Sequence, residues 1–384
     1  MGDKRMKIGT KILHTGNEID PTTGAVSIPV HHAATFKQAR ADEFGPYDYS
    51  RSGNPTRDAL EAIIASLEGG VRGFAFSSGM AAISSVFLLF SPGDHLVACE
   101  DVYGGTYRVL TRLFNRLGIE ATFVDFTDIA KIREAIRPNT RALYLETPSN
   151  PLLKITDLRA VSALAKERGL LSIIDNTFMT PYLQRPIEYG MDIVIHSATK
   201  YLGGHSDVLA GLTVAADGKM ANQIKFIQNA FGAVLGPQDC WLLMRGIKTL
   251  KARMDMHQHG AARLAEWLQG RPEVKEVFFP GLHGHPGREI HERQADGPGG
   301  MVSFRLQTEE MTKRFLSRVR LPVLGVSLGG VESIITYPVT MSHAAMHPDH
   351  RKRVGVTGDL VRFSVGIEDP DDLIEDLDAA LRKT

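Results

Sequence analysis

Short apolar runs alternate with longer amphipathic stretches between residues 54 and 217. The apolar runs are too short for typical helices, whereas most of the stretches between them repeat apolar residues at helical spacing. This pattern predicts seven strands, RGFAF, HLVAC, ATFVD, RALYLE, LLSIID, DIVIH and LAGLTVA. Strands that are apolar along their whole length and are separated by helices are typical of a parallel sheet covered on both faces. We therefore predict an α/β fold with a mainly parallel seven-stranded sheet.

Capping residues support the predicted helices between these strands. Asn54 and Pro55 begin a helix that runs to the glycines at 69 and 70, and Asp157 begins one that ends before Gly169. Asparagine and aspartate accept hydrogen bonds from the free amides of a first turn, proline fits that turn, and glycine ends a helix readily. These signals agree with the apolar periodicity.

The pattern changes near residue 237. A long helical stretch over 238–269 is followed by VKEVFF, MVSFRL, a helix near 308–319, the strand VRFSVGI and a final acidic helix from Pro370. The first fifty residues show neither helical nor strand periodicity. We predict an N-terminal arm over 1–52, a large α/β domain over 53–236 and a smaller α+β domain over 237–384.

Composition excludes several classes of function. Of the 384 residues, 43% are hydrophobic and 23% are charged, and 44 basic residues balance 44 acidic ones, so neither nucleic acid nor an acidic membrane is indicated as a partner. Cys99 and Cys240 are too few for a disulfide framework and are not spaced as metal ligands. We find neither the apolar segment of a signal peptide nor the run of about 18 apolar residues that a membrane span needs. These features predict a cytoplasmic protein.

Lys200 ends a predicted buried strand, in the segment SATKYLGGHSD. A lysine there is either a strand cap with its amine in water or a Schiff-base nucleophile that burial keeps reactive. In open α/β sheets, ligands bind beyond the carboxyl ends of the strands. Polar and small residues end the other predicted strands too, at 77–79, 146–147, 175–177 and 196–199. These strand ends are therefore candidates for binding an aldehyde cofactor together with the lysine.

Pyridoxal phosphate needs an anion cradle, and FSSGMAA predicts one. The amides of Gly79 and Met80 would open a helix there, where amides and the helix dipole attract a phosphate. Ser197 and Thr199 flank Lys200 closely enough to add hydroxyl donors. By itself, this segment is better explained as a plain turn between a strand and a helix.

The cofactor also needs a carboxylate opposite its pyridine nitrogen and an aromatic face. Asp175 ends the strand LLSIID, with Thr177 in the same strand end, and Tyr103 follows another strand in DVYGGTYR. An Asx turn and a half-buried tyrosine would explain these residues singly. Because four requirements are met at strand ends of one region, we predict pyridoxal 5'-phosphate bound at Lys200.

The motifs also resemble a known family. They occur in the family's order over nearly the whole chain: YSRSGNPT, SSGMAA, DVYGGTYR, ETPSNP, DNTF, HSATKYLGGHSD, GVSLGGVES and VRFSVGIED. They are similar to the Cys/Met-metabolism pyridoxal phosphate enzymes, the group of cystathionine γ-lyase and γ-synthase. The resemblance implies fold type I, like aspartate aminotransferase, with Lys200 holding the cofactor and moving protons. It also implies that Asp175 pairs with the pyridine nitrogen, and that Tyr103 stacks on the ring and serves in acid/base steps.

Two further sets of residues are implied by the same resemblance. Tyr49 and Arg51 would reach the phosphate of a neighbouring subunit, in a homotetramer built as a dimer of dimers. Arg362 would bind the α-carboxylate of an amino-acid substrate through a two-pronged hydrogen bond, helped by Asn150 and Ser327.

The reaction implied is chemistry at Cγ of a sulfur amino acid. We expect a cystathionine γ-lyase, which converts cystathionine to cysteine, 2-oxobutanoate and ammonia, with homocysteine desulfhydrase activity. The alternative is a cystathionine γ-synthase, which joins activated homoserine to cysteine. Gly105 occupies the position where methionine γ-lyases of this family carry a cysteine, which argues against methionine as the substrate.

Two rival hypotheses come from other classes of protein. A serine hydrolase could use Ser77, because residues 75–79 approximate a nucleophile elbow, although the first glycine of that motif is missing. A metal site could use histidines in two segments, but their spacing is weak and we expect solvated loop side chains. These histidines are His283, His285, His291, His343, His347 and His350.

Overall fold

A seven-stranded sheet forms the centre of the protein in the computed structural model, which describes residues 6–382. Each strand lies within two residues of its predicted bounds, and the spatial order is β1-β7-β6-β5-β4-β2-β3. The strands are β1 Arg72–Phe76, β2 His95–Cys99, β3 Glu120–Val124, β4 Thr140–Glu146, β5 Leu171–Asp175, β6 Ile193–Ser197 and β7 Gly211–Ala215.

The sheet is parallel from β2 to β6. Only β7 runs antiparallel, to both of its neighbours β1 and β6. A parallel return needs a crossover of a dozen or more residues, usually with a helix, whereas residues 198–210 between β6 and β7 form only turns. The chain therefore reverses directly into β7 after Lys200.

Helices cover the sheet on both sides and build most of the remaining structure. The predicted caps are present: the Asn54 side chain accepts from the Thr56 and Arg57 amides, and that of Asp157 accepts from the Ala160 amide. The helices are α1 Ile8–His14, α2 Pro55–Glu68, α3 Gly79–Phe87, α4 Gly104–Arg112, α5 Ile129–Ala135, α6 Leu158–Arg168, α7 Thr180–Leu183, α8 Gly218–Phe231, α9 Pro237–Lys248, α10 Leu250–Gln269, α11 Arg288–Gln294, α12 Glu309–Leu316, α13 Pro348–Arg353 and α14 Pro370–Leu381, with 3₁₀ turns at Phe114–Leu117 and Pro186–Tyr189.

Two predictions about helices were wrong. The stretch predicted as one helix over 238–269 is two, α9 and α10, separated at Thr249. The Gly246 carbonyl accepts from the amide and hydroxyl of Thr249 and from Arg253, so the α-helical bonding of α9 ends there. The arm, predicted to be irregular, contains the short helix α1.

A second sheet of five strands lies in the C-terminal part of the chain, in the order β10-β11-β12-β9-β8. Its core is separate from that of the large sheet, and α10 contributes Leu250 to the first core and Leu264 to the second. The two cores agree with a large and a smaller unit, while the boundaries at residues 52 and 236 stay predictions. The strands are β8 Val274–Phe278, β9 Met301–Leu306, β10 Val323–Leu324, β11 Ile334–Thr336 and β12 Leu360–Ser364.

Membrane insertion through a helix has no support within residues 6–382, where no helix is both long and apolar enough to cross a bilayer. Cys99 and Cys240 are free and buried, and burial raises the pKa of both thiols. Both belong to the core of the large sheet.

The turn after β6 is held by a buried arginine from α10. Arg253 donates to the Tyr201 carbonyl at 2.6 Å and to the Gly246 carbonyl at 2.7 Å. Gly204 has a φ of 75°, and a Cβ there would lie 2.1 Å from Nη1 of Arg253. Glycine is therefore needed at 204 both for its backbone conformation and for the space that the guanidinium occupies.

Gly204→Ala is expected to lower the free energy of unfolding by at least about 1 kcal/mol, since alanine is strained at positive φ and the new methyl group would displace Arg253. Urea unfolding followed by circular dichroism measures the change. Gly218→Ala is the matched control, because its added Cβ meets nothing within 4 Å. Equal midpoints for the two variants would contradict this role of Gly204.

Candidate active site

A pocket of about 410 Å³ lies at the carboxyl ends of the central strands. It is lined by every residue predicted for the site except Tyr49 and Arg51. The predicted residues that line it are Gly79, Met80, Tyr103, Asn150, Asp175, Thr177, Ser197, Thr199, Lys200, Ser327 and Arg362.

Lys200 holds its amine inside this pocket. Its Nζ donates to Oγ of Ser327 at 2.8 Å. Burial, followed by the positive charge of Arg362, lowers the pKa of the amine to about 8, and Asp175 opposes this. At pH 7, about a tenth of such an amine is unprotonated, far more than of an ordinary lysine, and can act as a nucleophile or base.

Asp175 reaches the pocket from the end of β5. Its Oδ1 accepts from the Thr177 amide at 3.0 Å and from the Thr177 hydroxyl at 2.5 Å. Burial raises the pKa of Asp175, while these bonds and the charge of Lys200 favour the ionised form. A cation placed against this carboxylate would favour that form further.

The predicted anion cradle lies where β1 passes into α3. The Ser78 side chain caps the helix by accepting from the Ala81 amide, and the amides of Gly79 and Met80 have no acceptor among residues 6–382. A Cβ at Gly79 would lie 2.9 Å from the Ser197 hydroxyl, so glycine keeps the approach open. Thr199 also faces the pocket, although its hydroxyl exchanges hydrogen bonds with the Ala210 backbone.

Arg362, on β12, is a buried cation with its guanidinium fixed from two sides. It donates to Oδ1 of Asn150 at 3.0 Å and to the Ser327 carbonyl at 2.8 Å. Burial lowers its pKa to about 10, and its Nε has no acceptor among the described residues. A buried donor without a partner carries an energetic penalty, which an anionic ligand would relieve.

Ser327 connects Lys200 with Arg362. Its hydroxyl accepts from the lysine amine, and its carbonyl accepts from the guanidinium. Its φ of 92° lies in the left-handed region, which costs a non-glycine residue about 1–3 kcal/mol. This strained residue fixes the amine and the guanidinium relative to each other.

Tyr103 precedes α4 at the mouth of the pocket, with 40% of its surface exposed. Its amide donates to Oε1 of Glu146 at 2.8 Å. A Cβ at Gly105 would lie 2.4 Å from the Tyr103 ring and 2.7 Å from the Met80 sulfur. Any side chain at 105 would therefore displace this ring.

Sequence reasoning missed two charged residues of the pocket. Glu146 was noted at the end of β4 but was given no role, and it is buried beside Asp175. Arg108 lies five residues after Tyr103 on α4, is exposed, and has no hydrogen-bond partner among residues 6–382. No pattern in the sequence distinguished Arg108 from an ordinary solvated arginine on a helix.

Tyr49 and Arg51 lie outside the pocket of their own chain. Arg51 donates to the backbone and side-chain oxygens of Asn229 at 2.6 and 3.0 Å, and its guanidinium lies 5.5 Å from the Tyr49 ring centroid. Both residues are exposed.

The rival sites find no support among the described residues. Ser77 is exposed and lies outside the pocket, and its hydroxyl has no histidine partner within 6–382. The same range contains no group of three or more potential metal ligands.

The prediction of solvated loop histidines was wrong for four of the six. Only His283 and His347 are exposed. The other four are buried, and each bonds a backbone carbonyl through Nε2, which must therefore donate. These pairs are His285 with Leu153, His291 with Gly297, His343 with Asn150, and His350 with Glu100.

A family model described as "Cys/Met metabolism PLP-dependent enzyme" matches residues 9–382. The chain belongs to this family. Cystathionine beta-lyase MetC of Bacillus subtilis is 55% identical over 100% of this chain and 98% of its own length. Cystathionine gamma-lyase of the same organism is 52% identical over 98% and 99%. The solved structure of cystathionine gamma synthase from Xanthomonas oryzae pv. oryzae, in complex with cystathionine, is 42% identical over 98% of each chain, with a TM-score of 0.96.

These comparisons confirm fold type I and pyridoxal phosphate as the cofactor of the family. The residues present suit that group: free amides at the start of α3 for a phosphate, Asp175 for a cationic ring nitrogen, and Lys200 for the aldehyde. The backbone of β7 also packs tightly against this turn, since a Cβ at Gly211 would lie 2.1 Å from the Ser78 carbonyl oxygen.

In the cofactor-free protein, Lys200 is expected to react with a small amine-directed reagent at a rate that is half-maximal near pH 8, because burial and Arg362 disfavour the charged ammonium. Peptide mapping across a pH series measures the rate at this residue alone. Asp175→Asn is expected to move the midpoint to lower pH, since it removes a charge that stabilises the ammonium. A midpoint near the ordinary lysine value of about 10.4 would contradict the assigned environment.

Proposed function

We propose that this protein is a cystathionine lyase that breaks the Cβ–S bond of cystathionine. With one water molecule, the reaction releases homocysteine, pyruvate and ammonia. The part of the proposal that all candidate reactions share, proton removal at Cα of an amino-acid substrate, is carried by the connection through Ser327, which places an amine of lowered pKa beside the cation that would bind a substrate carboxylate. The relative named cystathionine beta-lyase, at 55% identity over the whole chain, favours cleavage at Cβ.

The residues of the pocket divide the work of such a reaction. Arg362 binds the α-carboxylate of the substrate, with its guanidinium held by Asn150. The bound cofactor supplies an electron sink for the negative charge that develops at Cα. Lys200 takes the proton from Cα, and its hydrogen bond to Ser327 holds it on the same side of the pocket as Arg362.

The outer part of the pocket suits the rest of cystathionine. Tyr103 places a phenol at the pocket mouth, where it can donate a proton to the departing sulfur. Cystathionine carries a second carboxylate at its distal end, and Arg108 offers a guanidinium without a partner among residues 6–382. We infer that Arg108 binds this distal carboxylate.

Cleavage at Cγ, expected from the sequence motifs, is the second candidate. The gamma-lyase relative at 52% identity favours it, and Lys200 could also move the proton at Cβ that this route requires. Replacement at Cγ by a synthase shares the same early proton steps. The pocket around Tyr103 disfavours methionine γ-lyase chemistry, because Gly105 leaves no space for the cysteine that those enzymes carry.

Pure holoenzyme given cystathionine is expected to release pyruvate and homocysteine in equal amounts, with Lys200→Ala inactive. Chromatography of the keto acids and thiols measures both products. If 2-oxobutanoate and cysteine were the main products, the enzyme would cleave at Cγ and the proposed cleavage at Cβ would be wrong. Net formation of cystathionine from an activated homoserine ester and cysteine would show a synthase.

We further propose that a second copy of the chain completes each site, within a tetramer of two dimers in the cytoplasm. Arg51 lies against Asn229 of α8, a helix that also exposes Phe226 and Phe231 by 73% and 61%. Large exposed apolar side chains beside the arm favour coverage by another subunit. Arg51 and Tyr49 would then reach the phosphate bound by the partner.

Co-expression of Lys200→Ala with Arg51→Ala is expected to restore activity, although each variant alone is impaired. A mixed dimer contains one intact site, so random pairing leaves about a quarter of the sites intact. Lys200→Ala mixed with Asp175→Ala is the matched control and should stay inactive, because both residues line the pocket of their own chain. Equal recovery in the two mixtures, or none in either, would contradict the shared site.

A further inference from the structure

Two carboxyl groups lie side by side at the base of the pocket, Glu146 buried and Asp175 half-buried. Glu146 ends β4, Asp175 ends β5, and the two residues are directly paired in the parallel register. Both line the pocket, and Glu146 is 7% exposed. Two carboxylates this close, away from water, are not both ionised without strong compensation.

Asp175 and Glu146 differ in how far their surroundings stabilise a negative charge. Asp175 accepts two hydrogen bonds from Thr177, and Lys200 adds a nearby positive charge. Glu146 accepts one, from the Tyr103 amide. The structure therefore supports a negative charge at Asp175 better than at Glu146.

The groups around Glu146 give its charge little further support. Asp101 and Cys99, on the side of β2, can only add negative charge. Lys154, the cation on that side, is already bound to Glu100 at 3.1 Å and lies 4.0 Å from Asp101. Burial, followed by the charge of Asp175, raises the pKa of Glu146 well above its usual range. The basic residues of the pocket lining, Lys200, Arg108 and Arg362, form no hydrogen bond or ion pair with Glu146 within residues 6–382. His196 lies on the side of Asp175, where its ring bonds Glu68 at 2.6 Å.

We propose that Glu146 is a positioning residue kept as a neutral carboxylic acid, so that Asp175 alone carries the negative charge at the base of the pocket. Its Oε1 holds the Tyr103 amide at the start of α4, and thereby the ring that lies above the pocket. The proton on Glu146 lets it do so without adding a second charge beside Asp175. The proposal rests on the role proposed for Asp175, but not on which C–S bond is broken.

Three variants separate charge from hydrogen bonding, each measured by the Kd of pyridoxal phosphate for the cofactor-free protein. Glu146→Gln keeps the shape, the neutrality and the acceptor, so Kd should stay within about threefold of wild type. Glu146→Ala loses the acceptor and should weaken binding by about tenfold. Asp175→Asn removes the one charge and should weaken binding by about a hundredfold or more. A loss in Glu146→Gln as large as that in Asp175→Asn would overturn the proposal.

Infrared difference spectra test the proton directly in the cofactor-free protein. At neutral pH, wild type minus Glu146→Gln should show a carbonyl band of a protonated carboxylic acid. Glu61 and Asp101 are also buried acids whose pKa is raised by burial, so any bands they give should cancel. A difference showing only carboxylate bands would mean that Glu146 is ionised, and the proposal would fail.

Both measurements are independent of turnover. A protein that shows the acid band and the expected Kd values but does not cleave cystathionine would refute the proposed function and leave the role of Glu146 intact. One that cleaves cystathionine with an ionised Glu146 would refute only the inference about Glu146.

Discussion

Burial of the Lys200 amine is the constraint on which the rest of the site depends. A lysine is reactive near neutral pH only if its charged form is disfavoured, and here burial and Arg362 provide that effect. Keeping the amine buried has an energetic cost, and residues on neighbouring elements help to hold the lysine in place. Arg253 holds the turn after Lys200 at the Tyr201 carbonyl, and Ser327 accepts the amine in a strained backbone conformation.

The same constraint explains how the charges of the pocket are balanced around Lys200. In the proposed mechanism, Arg362 binds the substrate carboxylate from within the same pocket as Lys200. Its positive charge lowers the pKa of the Lys200 amine, and an unprotonated amine is what a base requires. Asp175 opposes this effect and keeps the amine from losing its proton altogether. Glu146 lies on β4, directly beside Asp175 of β5. A negative charge on Glu146 would change the electrostatic balance at Lys200, so the protonation state of Glu146 matters although it belongs to the neighbouring strand.

The sequence predicted the large sheet and most of the pocket because both arise from local patterns. Apolar runs identify strands, and polar residues at their ends identify the edge where ligands bind. It could not show the helix break at Thr249, since apolar periodicity continues through it. Burial of His343 against the Asn150 carbonyl joins residues 193 positions apart, and no local pattern contains that contact. Arg108 was missed because one exposed arginine on a helix is ordinarily a solvated side chain.

The choice among cleavage at Cβ, cleavage at Cγ and replacement is made in the chemical steps after the first proton transfer. In the mechanism proposed above, Arg362, Ser327 and Lys200 would act on the substrate carboxylate and the Cα proton in the same way in all three reactions. Because these residues serve the steps that the three reactions have in common, relatives with different names can be similar to this chain over its whole length. Selection must come from groups that meet the substrate beyond Cα, where this chain offers the Tyr103 phenol and the Arg108 guanidinium. If Arg108 holds the distal carboxylate as proposed, a long substrate bound at both ends would have its sulfur fixed relative to Lys200, and that distance would favour breaking one carbon–sulfur bond over the other.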